Sequence, residues 1–263
     1  MKAFEIINEL FGLSGYLNFK KTCDTLKAGD PEVEVSKIAV SMFATPDVVR
    51  QAKEFGATLL IVHEPTYYDH MDVHKDEKIE NAKRDLIENS GIALYRYHDY
   101  AHSKQPDIIN VGVAEAFGLD ASVEYIPHKD TVRFTMNTPI TAVELANVIE
   151  KNLGIKHMRI CGTRDIPSTK ITLMCGTPGG TFEELQNDGC EILLTGEACE
   201  WAIAEYARDA SQLGFNKTLI IMGHIGSERD GMKYTTELLT KLHPELEVKY
   251  FECGEVYSYT DSK

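Results

Sequence analysis

The sequence predicts an α/β protein built as two similar lobes with mainly parallel sheets. Three observations predict it. Strand-like runs alternate with helical ones, the first half reads βαβαβ, and the second half repeats that plan in close register. At 263 residues and 43% hydrophobic composition the chain is long enough to bury a core in each lobe.

The N-terminal MKAFEIINELFG sets Phe4, Ile7 and Phe11 on one helical face and Glu5, Asn8 and Glu9 on the other, the pattern of a surface helix. It lacks the apolar core and small-residue cleavage site of a signal peptide, and no run approaches the roughly 20 apolar residues that span a bilayer. A cytoplasmic location is expected.

KIAVSM (37–42), ATLLIV (57–62) and GIALYRY (91–97) read as strands, separated by the helical PDVVRQAKEFG and KDEKIENAKRDLIENSG, each closed by glycine. EYIPHKDTV (124–132) follows, and its proline places the lobe boundary near residue 127. The expected lobes are residues 1–126 and 127–263, with about 229–263 packing back on the first. RFTMN then reads as extended and TAVELANVIEKNLG (141–154) as a helix. KITLMC (170–175), CEILLT (190–195) and KTLIIMG (217–223) are the strands of the second set, with TFEELQND and EWAIAEYARDA as the helices between them.

A slide of 133 positions lays KIAVSMFATPDVVRQAKEFGATLLIVHE over KITLMCGTPGGTFEELQNDGCEILLTGE without a gap, placing Glu64 on Glu197. A slide of 126 places His98 on His224 and His102 on Glu228. Polar exceptions coincide here as well as apolar positions.

The formal charge of -14 disfavours nucleic-acid phosphates and anionic lipid, so neither is an expected partner. Six cysteines show no C-x-x-C pair and read as buried reduced thiols. GTPGGTF (176–182) reads as a turn followed by a Thr181–Glu184 capping box.

Chemistry concentrates in the histidines. In parallel α/β sheets, functional groups collect beyond the carboxyl ends of strands, and His63, His98 and His224 all stand there. His98/His102 and His224/Glu228 each set a second donor four residues on, the spacing that brings both side chains to one side of a helical turn. His70 and His74 share that spacing but lie in a charged stretch and read as a solvated face. His63, Glu64, His98, His102, His224 and Glu228 therefore form the candidate metal set, expected in the crevice between the lobes. Their nitrogen and oxygen donors suit Zn, Mn, Fe, Co or Ni, and six donors point to two divalent ions about 3.5–4 Å apart. Glu197, opposite Glu64 in the repeat, is the candidate for orienting a ligand or accepting a proton.

At these residues the chain resembles the Nif-three-like dinuclear-metal family, part of which is known as GTP cyclohydrolase I type 2, in its short form without the inserted domain. In that family the strand matching TLLIVHEP ends in His-His-Pro, and the strand matching ALYRYHDYAHS carries a His followed four places later by Asp. The family also has a T-G-E segment, here Thr195-Gly196-Glu197, and a final G-H-x-x-x-E, here Gly223 to Glu228. Carried over by position, the ligands are the same six residues. Two depart from the pattern, Glu64 standing for the second histidine and His102 for the aspartate, so that the total remains four imidazoles and two carboxylates. The resemblance implies a small heterocyclic or phosphorylated substrate, hydrolysed through a metal-activated water, and assembly into a ring-shaped homohexamer. A metal-binding scaffold acting through that ring is the other expectation.

Overall fold

The computed structural model describes residues 1–15 and 19–260. It divides into two compact units, Met1–Lys104 with Met232–Lys263, and Gln105–Gly231. The chain runs α1 (Ala3–Gly12), β1 (Leu26–Ala28), β2 (Lys37–Ser41), α2 (Pro46–Phe55), β3 (Leu59–Val62), α3 (Lys78–Glu88), β4 (Ala93–Arg96) and the short α4 (Asp99–Ser103). The second unit holds α5 (Ile108–Phe117), β5 (Ala121–Tyr125), β6 (Val132–Ile140), α6 (Ala142–Leu153), β7 (Arg159–Gly162), β8 (Ser168–Met174), α7 (Thr181–Gln186) and β9 (Ile192–Thr195). A π-helical turn (Glu200–Ala204) then leads into α8 (Glu205–Gln212), β10 (Thr218–Ile221) and the long α9 (His224–Leu242), and β11 (Glu247–Tyr250) follows.

The first sheet has the order β1-β4-β3-β2-β11, parallel except where β1 meets β4. Every residue of β3 and β4 is buried, as both-face coverage requires. Ala39, Leu60, Val62 and Leu94 pack with Val48, Val49 and Ala52 of α2. That helix starts at a Thr45 side chain accepting from Val48 N–H, has Pro46 in its first turn, and ends at Gly56 with φ +83°.

The second sheet, β5-β6-β8-β9-β10-β7, is mixed rather than mainly parallel. β8, β9 and β10 are parallel, whereas β5, β6 and β7 pair antiparallel. The link between β5 and β6 is a turn too short for a parallel crossover, so those strands must run antiparallel. The same pairing, with α5 packed on α6, draws residues 105–126 into the second unit, so the division falls at 104/105 instead of near 127. The C-terminal part from Met232 belongs to the first unit, where β11 adds to β2.

The repeat is present in the backbone. Ile38 pairs with Leu59 and Ile171 with Ile192, each 133 positions apart between the units. The next strand is offset by 125, since Val62 faces Arg96 and Thr195 faces Ile221. The 126 slide that aligns His98 with His224 is thus one residue away from the strand register. The extra residue is taken up at Gly223, whose φ of +82° suits glycine.

Two local expectations are corrected. In α1 the buried face is Ala3, Ile6, Ile7 and Leu10, with Phe4 and Phe11 at its margins. α7 begins from Gly180 without a side-chain cap, and the Glu184 carboxylate is held by Arg133 at 3.0 Å and Thr172 at 3.3 Å. A full guanidinium–carboxylate pairing is stronger than one bond to a backbone amide, which draws Glu184 away from the cap.

Gly231, inside α9, lies against α5: a Cβ there would sit 2.5 Å from Ile109 Cα. Alanine at an exposed helical glycine normally stabilises, but here the nearby group is backbone and cannot yield cheaply. Gly231→Ala is expected to lose about 1–3 kcal/mol in urea denaturation.

Candidate metal centre

In the first unit, β3 and β4 are neighbouring parallel strands whose carboxyl ends carry His63 and His98. His63 is fully buried, and its Nδ1 lies 2.9 Å from the Tyr97 carbonyl. A carbonyl only accepts, so Nδ1 carries the proton and Nε2 the lone pair. Burial, reinforced by the neighbouring His98 and His102, holds the His63 pKa well below the ordinary imidazole range, so the ring is neutral.

His98 places Nδ1 3.0 Å from Asp99 Oδ1, again turning Nε2 away from the anchoring partner. Burial acts to raise the Asp99 pKa, but hydrogen bonds from His98 and Thr22 outweigh it and keep the carboxyl charged, well below the usual range. Asp24 accepts from the backbone N–H groups of His98 and Tyr100 at 2.7 and 2.8 Å, fixing the entry to α4. One turn on, His102 faces His63 with Nε2 to Nε2 at 3.2 Å. The rings of His63, His98 and His102 have centroids 4.6 to 5.0 Å apart, and one donor nitrogen from each lies within 4.8 Å of the others.

Glu64 places Oε1 4.0 Å from His63 Nε2 and Oε2 3.8 Å from Arg96 Nη2. The Arg96 side chain is wholly buried: Nε donates to the His63 carbonyl at 2.8 Å, and Nη1 donates to the His70 carbonyl and lies 3.6 Å from Asp72 Oδ2. Asp72 also pairs with Lys27 at 2.8 Å and accepts from Thr66 N–H and Tyr67 N–H. One guanidinium thus braces the loop that carries His63, Glu64 and His70.

In the second unit, His224 is the first residue of α9, and its Nδ1 lies 2.7 Å from Glu197 Oε1 and 3.3 Å from Thr177 Oγ1. Its Nε2 is 3.1 Å from Glu228 Oε2, one turn along the helix. Ser227 donates to the His224 carbonyl and accepts from Gly176 N–H. A Cβ on Gly176 would meet Glu228 Oε1 at 2.2 Å and one on Gly196 would meet Ser227 Oγ at 2.4 Å, so both glycines make room for this turn. The GTPGG segment therefore serves close approach to Glu228.

Each unit thus gathers its own predicted residues: His63, Glu64, His98 and His102 in one, and Glu197, His224 and Glu228 in the other. Each also sets two potential ligand atoms close together. His63 Nε2 opposes His102 Nε2, and His224 Nε2 opposes a buried carboxylate oxygen of Glu228. Contacts of this kind require a proton or a cation between the atoms. The donor chemistry fits a borderline divalent ion. Sequence reasoning missed Arg96, Asp24, Asp99, Cys23 and His70. His70 is not simply solvated: its ring lies edge-on to that of His98, with centroids 5.2 Å apart. The Asp immediately after His98 was the one available signal for Asp99.

Residues 4–255 match the family model Duf34/NIF3 (NGG1p interacting factor 3). The chain belongs to the Duf34/NIF3 family. A Clostridium perfringens protein named GTP cyclohydrolase 1 type 2 homolog is 25% identical over 238 residues, 87% of each chain. A Borreliella burgdorferi protein of the same name is 25% identical over 258 residues, 93% of this chain and 94% of that one. Among solved structures, protein ybgI, described as of unknown function, superposes with a TM-score of 0.76 at 22% identity, covering 98% of this chain and 100% of the other. A Staphylococcus aureus hypothetical protein gives 0.77 at 18% identity, with coverage of 98% and 99%. These superpositions establish the Duf34/NIF3 fold for this chain. No helix among its described residues is long and apolar enough to cross a membrane.

Two substitutions test the scaffolding in this Duf34/NIF3 protein. Arg96→Met strips donors from two carbonyls and strands buried carboxylates, and is expected to cost about 3–5 kcal/mol by chemical denaturation. Gly176→Ala is expected to cost about 1–3 kcal/mol and to displace the Glu228 carboxylate in a crystal structure of the variant.

Proposed function

We propose that this protein binds two divalent transition-metal ions and uses them to hydrolyse a small heterocyclic or phosphorylated substrate. His63, Glu64, His98 and His102 supply one set of ligands, and His224 with Glu228 supplies the other. The observation that carries this reading is the anchoring of three imidazoles through Nδ1, on Tyr97, Asp99 and Glu197, which turns each Nε2 toward further donors. Membership of the family supports joining the two sets into one dinuclear centre, and the names of its relatives support a heterocyclic substrate.

When bound, the ions supply Lewis acidity that brings a water's pKa toward neutrality and polarises a substrate oxygen. The chain supplies the rest. The buried, neutral His63 is available as a ligand without first losing a proton. Glu197 holds the proton on His224 Nδ1 and, with its exposed carboxylate, is the group placed to receive a proton released during reaction. Arg96 offsets the charge that Glu64 brings in place of the family's second histidine. A ring-shaped homohexamer is the proposed assembly.

Elemental analysis of untagged protein is expected to find at least two ions per chain. One ion would overturn the dinuclear part, and none would overturn metal binding. With metal loaded, a screen of small phosphoesters and nucleotides is expected to show turnover that His224→Ala and Glu228→Ala abolish. Turnover no greater than in those variants would overturn the hydrolase and leave a metal-binding scaffold, with its assembly read by light scattering.

A further inference from the structure

A second group of potential ligands lies in the first unit, on the Asp99 side of His98. Cys23 Sγ, a nitrogen of His70, a nitrogen of His98 and an Asp99 carboxylate oxygen lie within 4.8 Å of one another. They come from three separate stretches: the segment before β1, the loop after β3 and the start of α4. Neither Cys23 nor His70 has a part in the chemistry proposed above.

The surroundings favour a cation. Cys23 is 1% exposed, so its thiol is shielded from solvent, while His70 is exposed. The Cys23 thiol donates toward two carboxylates, Asp99 Oδ1 at 3.4 Å and Asp24 Oδ1 at 3.6 Å. Two carboxylates and a thiol in a buried corner make a locally negative pocket. Arg96, the nearby guanidinium, is committed to Glu64, Asp72 and two carbonyls.

We propose that Cys23, His70 and Asp99 form a mononuclear zinc site, separate from the imidazole cluster of His63, His98 and His102. His98 keeps its Nδ1–H on Asp99 and its Nε2 for that cluster, so it borders the new site without being needed as a ligand. Thiolate, imidazole and carboxylate are all established zinc donors, and three of them leave a fourth position for water. When the ion binds, the Cys23 Sγ–H bond breaks, an Sγ–metal bond forms, and one proton passes to solvent. Thiolate and carboxylate together neutralise the divalent charge. Structurally, such a site would clamp the loop carrying His63 and His70 to the start of α4 and to the segment before β1. It would thus stiffen the frame of the neighbouring imidazoles.

Cobalt titration of the metal-stripped full-length protein tests this, because a thiolate ligand produces a near-ultraviolet sulfur-to-cobalt absorption that nitrogen and oxygen ligands do not. The wild type is expected to develop that band and saturate it at one ion per chain. Cys23→Ser is expected to abolish the band and lower total bound cobalt by one ion, while the visible absorption from nitrogen and oxygen ligands remains. His70→Ala, a change in an exposed loop that leaves the buried thiol in place, is expected to weaken the band's cobalt affinity by at least about tenfold. Absence of the band in the wild type overturns the site without reference to any variant. So does a band that survives Cys23→Ser, since it would come from another of the free cysteines. If Cys23→Ser does not fold, an unchanged affinity in His70→Ala overturns it. The dinuclear proposal stands or falls separately, on the visible absorption that His224→Ala and Glu228→Ala remove.

Discussion

The hydrogen bond from His63 Nδ1–H to the Tyr97 carbonyl is the constraint on which the candidate site of the first unit depends. It joins the end of β3 to the end of β4 just where the parallel ladder stops, so the geometry of a candidate ligand is set by rigid backbone rather than by a loop. It also decides the tautomer. With Nδ1 committed, Nε2 faces His102, and burial of the ring holds its pKa low and favours the neutral form. Asp99 does the same for His98 and Glu197 for His224, using carboxylates where His63 uses a carbonyl.

Beneath this layer sits a second one made of charge. Arg96, the last residue of β4, is wholly buried and reaches the carbonyls of His63 and His70 and the carboxylates of Glu64 and Asp72. A buried guanidinium is costly in isolation and tolerable when acceptors and carboxylates surround it. The loop after β3 provides those acceptors, so the loop and the arginine require each other. Glu64 places a negative charge beside this arginine, which accommodates it.

The second unit reaches a comparable arrangement by other means. Its strands follow the first unit's register, but the histidine stands one residue further on and opens a long helix, with its partner Glu228 one turn away. Room for that turn comes from glycines: Gly176 gives way to the Glu228 carboxylate and Gly196 to the Ser227 hydroxyl. Two units with one plan therefore hold their candidate residues by different local devices, a carbonyl and a buried arginine in one, and a helix start packed against side-chain-free backbone in the other.

The sequence by itself determined the six central strands, the helices between them and the repeat at 133 positions, and it named His63, Glu64, His98, His102, Glu197, His224 and Glu228 as candidates. Periodicity and strand-end position are local properties, carried by neighbouring residues, so they survive without coordinates. The edge strands, the antiparallel flank of the second sheet and the boundary at 104/105 were decided by pairing between distant segments, which no local pattern records. The same holds for Cys23, His70 and Arg96. Cys23 and His70 lie far apart in the chain, and a lone thiol or a loop histidine carries no signal of its own. Only the sheet register, which sets the end of β4 beside the loop after β3, brings them to one place.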